Sequence, residues 1–201
     1  MTGHWSIQSK GNGHVRLQMS GDKGNSSASS RLALTEFEGI IEEQLFSSDL
    51  RVNFRLVREA GTFTFSGSFH EGMGMGQWTF NAEPAFVSRL RQHGYQQPTN
   101  EELYALAVSD VRWSYIADLE REGYRTVPIS QLVGFYTNDV TVPYIKSLGD
   151  VGYNGLTASQ LISLRTNGVT RDYIEQLVRR GQKNLTVARL LSLRTNAVPR
   201  C

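Results

Sequence analysis

The chain is predicted to be α+β: an N-terminal antiparallel β domain followed by an α-helical-hairpin, solenoid-like repeat array of 29-residue units. Three observations predict this. Apolar, aromatic and glycine residues recur at a constant step of 29 in the second half of the chain. The first half instead alternates apolar with polar residues and is rich in glycine turns. An apolar content of 39% with 20% charged residues belongs to a folded globular chain rather than a disordered one.

Residues 1–81 are expected to form the β domain. The start, Met1-Thr2-Gly3-His4-Trp5, has neither a basic end nor an apolar run, so no signal peptide is visible. Val15-Arg16-Leu17-Gln18-Met19 alternates as a half-buried strand does. Gly21 to Ser30 reads as a polar loop. Leu32 to Phe46 reads as a strand or turn followed by a short helix, and Phe54 to Val57 as a further strand. Residues 61–80 predict a hairpin about a two-residue Glu71-Gly72 turn. Folding there sets Phe63 opposite Phe80, Phe65 opposite Trp78, Gly67 opposite Gly76 and Phe69 opposite Gly74. Aromatic cross-strand pairs contribute roughly 0.2–1 kcal/mol each, and an aromatic ring beside a glycine covers bare backbone.

Residues 82–201 are expected to form the helical array: a half-repeat at 82–98, units at 99–127, 128–156 and 157–185, and a partial unit at 186–201. Leu103, Leu132, Leu161 and Leu190 share one column, as do Val111, Val140, Val169 and Val198. Tyr115, Tyr144 and Tyr173 share another, followed by Ile116, Ile145 and Ile174. Each unit reads as two short helices. Thr99, Thr157 and Thr186 are placed to cap the first, the first two with capping-box spacing to Glu102 and Gln160. Pro128 holds the equivalent place in a first turn. Gly123, Gly152 and Gly181 are placed to end the second helix in a left-handed residue. Helices of about ten residues are marginal alone, so their apolar faces call for neighbours.

Several chemistries find no support. Cys201 is the only cysteine, which rules out an intrachain disulfide and a cysteine-rich zinc site. Gly72-Met73-Gly74-Met75-Gly76 steps by two and leads into a strand, unlike a dinucleotide loop. His70-Glu71 opens like H-E-x-x-H, but the second histidine position holds Gly74. No catalytic, cofactor or metal residue stands out, and no apolar run approaches the roughly 20 residues that span a bilayer.

Net charge is +2, unevenly spread. Residues 156–201 carry Arg165, Arg171, Arg179, Arg180, Lys183, Arg189, Arg194 and Arg200 against only Asp172 and Glu175, a bias worth weighing as a nucleic-acid contact. Arg165-Thr166-Asn167 and Arg194-Thr195-Asn196 recur at the ends of first helices, preceded by Tyr136-Thr137-Asn138. A cation there complements the helix dipole. The same residues, Tyr136, Arg165, Asn167, Arg194 and Asn196, are the candidates for a partner-binding surface.

The stretches FVSRLRQHGY (86–95) and LISLRTNGVTRDYIEQL (161–177) resemble repeats of the form L-x-x-L-R-x-x-G-V-T-x-x-Y-I-x-x-L. Such repeats occur in uncharacterised bacterial proteins, in some of which they follow BlaR/MecR-type antirepressor metallopeptidase domains. The likeness, which includes the Gly/aromatic hairpin, covers about residues 52–201. It implies a sensor or interaction region, often extracytoplasmic; the metallopeptidase motif is absent. The resulting expectation is a non-enzymatic module that binds protein or peptide. The alternatives are nucleic-acid binding by the basic C-terminal units, and an enzyme with an unrecognised site between the β domain and the repeats.

Overall fold

In the computed structural model, which describes residues 1–22, 27–47 and 50–196, the N-terminal alternation becomes a seven-stranded antiparallel sheet curled into a half-barrel. Its strands are β1 (Thr2–Ser9), β2 (His14–Gly21), β3 (Ser27–Ala33), β4 (Phe37–Glu38), β5 (Leu50–Arg58), β6 (Gly61–His70) and β7 (Met73–Ala82). They are ordered β3-β2-β1-β7-β6-β5-β4. A one-turn helix α1 (Glu42–Leu45) and helices α2 (Pro84–Gln92) and α3 (Asn100–Val108) accompany the sheet. The chain divides into two compact units, Met1–Arg112 and Trp113–Cys201.

One face of the sheet makes the core of the first unit. Trp5, Ile7, Val15, Leu17, Met19, Phe54, Phe65 and Trp78 are buried, while the residues between them are polar and largely exposed, as a period of two requires. Phe54 stacks on Phe65 with ring centroids 4.8 Å apart, and Trp5 meets Phe54 edge-on at 5.3 Å. Both indoles are deeply buried, and each N–H finds a carbonyl: Trp5 donates to Ser66 (3.2 Å) and Trp78 to His4 (3.1 Å). A buried donor without an acceptor is costly.

Strands β6 and β7 pair in the register read from the turn, Phe63 with Phe80, Phe65 with Trp78, Gly67 with Gly76 and Phe69 with Gly74. Glycine is required at the two facing positions. A Cβ on Gly76 would run into the Ser66 carbonyl, and one on Gly67 into the Met75 carbonyl and the Trp5 ring. The Phe69 ring lies over Gly74. On this aromatic surface sits α3, whose Tyr104 stacks on Trp78 (5.4 Å) and meets Phe63 and Phe80 edge-on. Arg58, 10% exposed, bridges Glu36 (2.7 Å) and Asp110 (3.5 Å), tying the end of β5 to the turn after α3.

Two strands differ from expectation. Thr2–Ser9 forms β1, held between β2 and β7; its alternation needs both neighbours to be read as a strand. Ser27–Ala33 forms β3, whose first four residues read as loop, because its serines pair with β2. Residues 23–26 of that loop lie outside the described residues, as do Val198, Pro199, Arg200 and Cys201.

The second unit holds α4 (Trp113–Arg121), α5 (Ile129–Thr137), α6 (Val142–Gly149), α7 (Ala158–Thr166), α8 (Arg171–Arg179) and α9 (Val187–Asn196). The caps form where the spacing places them. Thr157 accepts from the Gln160 amide (3.2 Å) while the Gln160 side chain accepts from the Thr157 amide (2.9 Å). Thr141 and Thr170 cap α6 and α8 on one side only, their hydroxyls accepting from the Tyr144 and Tyr173 amides.

The expected fold class is nevertheless corrected. The helices follow the sheet, but they do not build a clear helical repeat array of 29-residue units. Equal columns are buried unequally: Ile116 and Ile174 are in the core while Ile145 is half-exposed, and Tyr104 is buried where Val133, Ile162 and Leu191 are only half-buried. The physical reason is that caps and turns depend on residues a few positions apart, whereas the buried face depends on the neighbour. Helix α3 packs on β6 and β7, whereas α5 packs on α7 and α7 on α9.

Candidate functional site: a column of planar side chains in the helical unit

The sequence-nominated Tyr136, Arg165 and Arg194 stand in the last turns of α5, α7 and α9. Each lies against a tyrosine of a neighbouring helix. Tyr136 meets the Tyr115 ring edge-on at 5.3 Å. The guanidinium of Arg165 lies 4.9 Å from the centroid of Tyr144, and that of Arg194 lies 4.9 Å from Tyr173. An aromatic face attracts a cation, and stacking confines an otherwise mobile side chain.

Hydrogen bonds fix the column further. Arg165 is ion-paired to Asp139, in the turn between α5 and α6. Asp139 has a left-handed backbone, φ 55°. One step on, that place is Gly168, and the Arg194 Nε donates instead to the Asn167 carbonyl (3.3 Å). The platforms are held too: Tyr115 donates to the Val140 carbonyl (2.7 Å) and Tyr144 to the Val169 carbonyl (2.9 Å). Burial pushes the Tyr144 hydroxyl up to about 12, against the opposing pull of Arg165. Burial, then the Asp139 and Tyr136 charges, raise Tyr115.

Asn167 and Asn196 do not join the column through their side chains. Asn167 turns back to donate to the Ser163 carbonyl (2.8 Å), and Asn196 to the Ser192 hydroxyl (3.4 Å), which is helix ending. The arginines combine a capping place with partial exposure; Arg165 keeps 30% of its side-chain surface, and Tyr136 is 37% exposed. Sequence reading missed the supports Tyr115, Tyr144, Tyr173 and Asp139. The tyrosines repeat at the same step as the arginines, and that shared period was the available signal; which ring each arginine covers depends on packing.

A groove of about 660 Å³ lies elsewhere in this unit, lined in part by Glu122, Tyr124, Lys146, Asp150, Tyr153 and Leu156. Its charges are paired, Lys146 with Glu122 (2.9 Å) and Asp150 with Arg171 (3.0 Å). Among the described residues no group of three His, Cys, Asp or Glu side chains could hold a metal ion, and no helix is long and apolar enough to cross a membrane. Comparison with known protein families, curated proteins and solved structures finds no match to this chain.

Proposed function

We propose that this protein is a non-enzymatic interaction module that binds a protein or peptide through the Tyr136–Arg165–Arg194 column. The observation that carries the reading is the seating of three planar, half-exposed side chains on fixed tyrosine platforms. Tyr and Arg dominate binding hot spots, and side chains already immobilised lose less freedom on association. The likeness of 52–201 to bacterial sensor-associated repeats points the same way.

The test compares wild type with a variant carrying Tyr136→Ala, Arg165→Gln and Arg194→Gln, both confirmed folded by circular dichroism. A photo-crosslinker placed at the half-exposed Gln131, on the same helix as Tyr136, should trap a defined protein in wild type and lose it in the variant. Equal trapping by both would remove the column from the function.

A second reading, nucleic-acid binding, has one observation in its favour. Arg180, Lys183 and Arg189 are exposed and have no acidic partner among the described residues. Three phosphate contacts would give a salt slope of about −3 on logarithmic axes. Polarisation of a random duplex at low and moderate salt decides it, and no binding at low salt eliminates it.

A further inference from the structure

The sheet carries an open edge of unusual composition. Strand β3 is terminal in the strand order. In an antiparallel ladder, alternate residues of a strand bond to one neighbour and the rest point the other way. The Leu34 amide donates to the Gly13 carbonyl (2.7 Å), so Leu32, Ser30 and Ala28 face β2. Ser27, Ser29, Arg31 and Ala33 direct their backbone groups outward. The Ala33 amide is taken by the Glu36 carboxylate (2.9 Å). Ser27, Ser29 and Arg31 remain, with no partner for these amides among the described residues.

A second observation comes from charge. Arg31 lies directly opposite Arg16 of β2, and Arg16 opposite Gln8 of β1. Both arginines are exposed on the same face, and neither has an acidic partner among the described residues. Among the described residues, the nearby Lys10 ammonium is bonded only to the Gln8 side chain. Like charges facing each other across a ladder are destabilising. A charged residue on an edge strand can serve to repel other strands, but Arg16 is one strand in, where no edge needs guarding. On the opposite face, Ala28 and Leu32 are only half-buried.

We propose that β3 accepts an extended acidic peptide as an eighth strand, its carboxylates facing Arg16 and Arg31 and its alternate apolar side chains covering Ala28 and Leu32. Main-chain bonds to Ser27, Ser29 and Arg31 supply the affinity, and the arginine pair selects the sign of charge. A second copy of this chain fits less well. Antiparallel self-pairing through Ser29 would bring the Arg16–Arg31 pairs of both copies to one small surface.

The probe is a capped nine-residue peptide alternating glutamate and valine, with its lysine-for-glutamate counterpart as control, added to the isotope-labelled full chain. Nuclear magnetic resonance should show the Ser27, Ser29 and Arg31 amides shifting and exchanging more slowly with the glutamate peptide. That peptide should bind at least about tenfold more tightly than the lysine peptide. Arg16→Gln with Arg31→Gln should remove the preference. Ser29→Pro deletes an outward-facing donor that no neighbour uses, a position where an edge strand tolerates proline, and should weaken binding by about tenfold or more. The variant lacking Tyr136, Arg165 and Arg194 should bind the peptide as wild type does, which separates this site from the helical column.

Equal affinity for both peptides overturns the proposal, as do shifts centred away from β3 or none up to about 1 mM peptide. Full binding by a folded Ser29→Pro chain overturns it too. Self-association in sedimentation that Ser29→Pro abolishes would assign the edge to a second copy instead.

Discussion

At the scale of single residues, two buried tyrosines have opposite consequences. The Tyr144 hydroxyl donates to the Val169 carbonyl at 2.9 Å inside the helical unit. The Tyr104 hydroxyl is buried against the sheet with no hydrogen-bond partner among the described residues. Removing a donor orphans its acceptor and costs about 1–3 kcal/mol, whereas deleting an unpaired polar group is close to neutral or stabilising. Urea unfolding should therefore show Tyr144→Phe destabilised by about 1–3 kcal/mol and Tyr104→Phe unchanged or more stable. The reverse order would mean that the hydroxyl assignments are wrong. Alkaline pH tests the same residue. Burial holds Tyr144 neutral up to about 12, above its ordinary value of 10.0. Its contribution is complete below the unfolded value; as pH rises further, the unfolded chain ionises first and stability is lost through the folded value. The unfolding temperature should fall between about pH 10 and about pH 12, and less steeply in Tyr144→Phe.

At the scale of elements, the hairpin β6–β7 and the helix caps were legible because each is written in residues close together. The Glu71-Gly72 turn sets the register, and the register sets Gly67 against Gly76. Gly76→Ala should destabilise the sheet by about 1–3 kcal/mol, since its methyl group would meet the Ser66 carbonyl. Gly123→Ala offers a contrast: there the left-handed backbone, φ 91°, is the obstacle, with open space around a Cβ. The loss there should be near 1 kcal/mol. Equal losses at both would argue that sterics do not hold the hairpin. Strands β1 and β3 were not legible, because His4-Trp5-Ser6-Ile7 and the serines of β3 become strands only through partners far along the chain.

At the scale of the molecule, helices α2 and α3 fall in the same compact unit as the sheet. Trp78, Phe63 and Phe80 have Tyr104 as a cover. A fragment of residues 1–112 should unfold cooperatively, while one ending at Ala82 should not, having lost that cover; calorimetry of the two decides. A sharp transition in the shorter piece would show that the sheet closes its own core. By itself, the sequence determined what short range controls: the paired aromatic hairpin, the threonine caps, the glycine stops, and a period of 29 that placed Tyr136, Arg165 and Arg194 in one column. Only the tertiary structure decided that equal columns meet unequal neighbours, so that Tyr104 enters an aromatic sheet while Arg165 lies over Tyr144. A helix specifies its own ends through local hydrogen bonds, but the environment of each face comes from whatever packs against it.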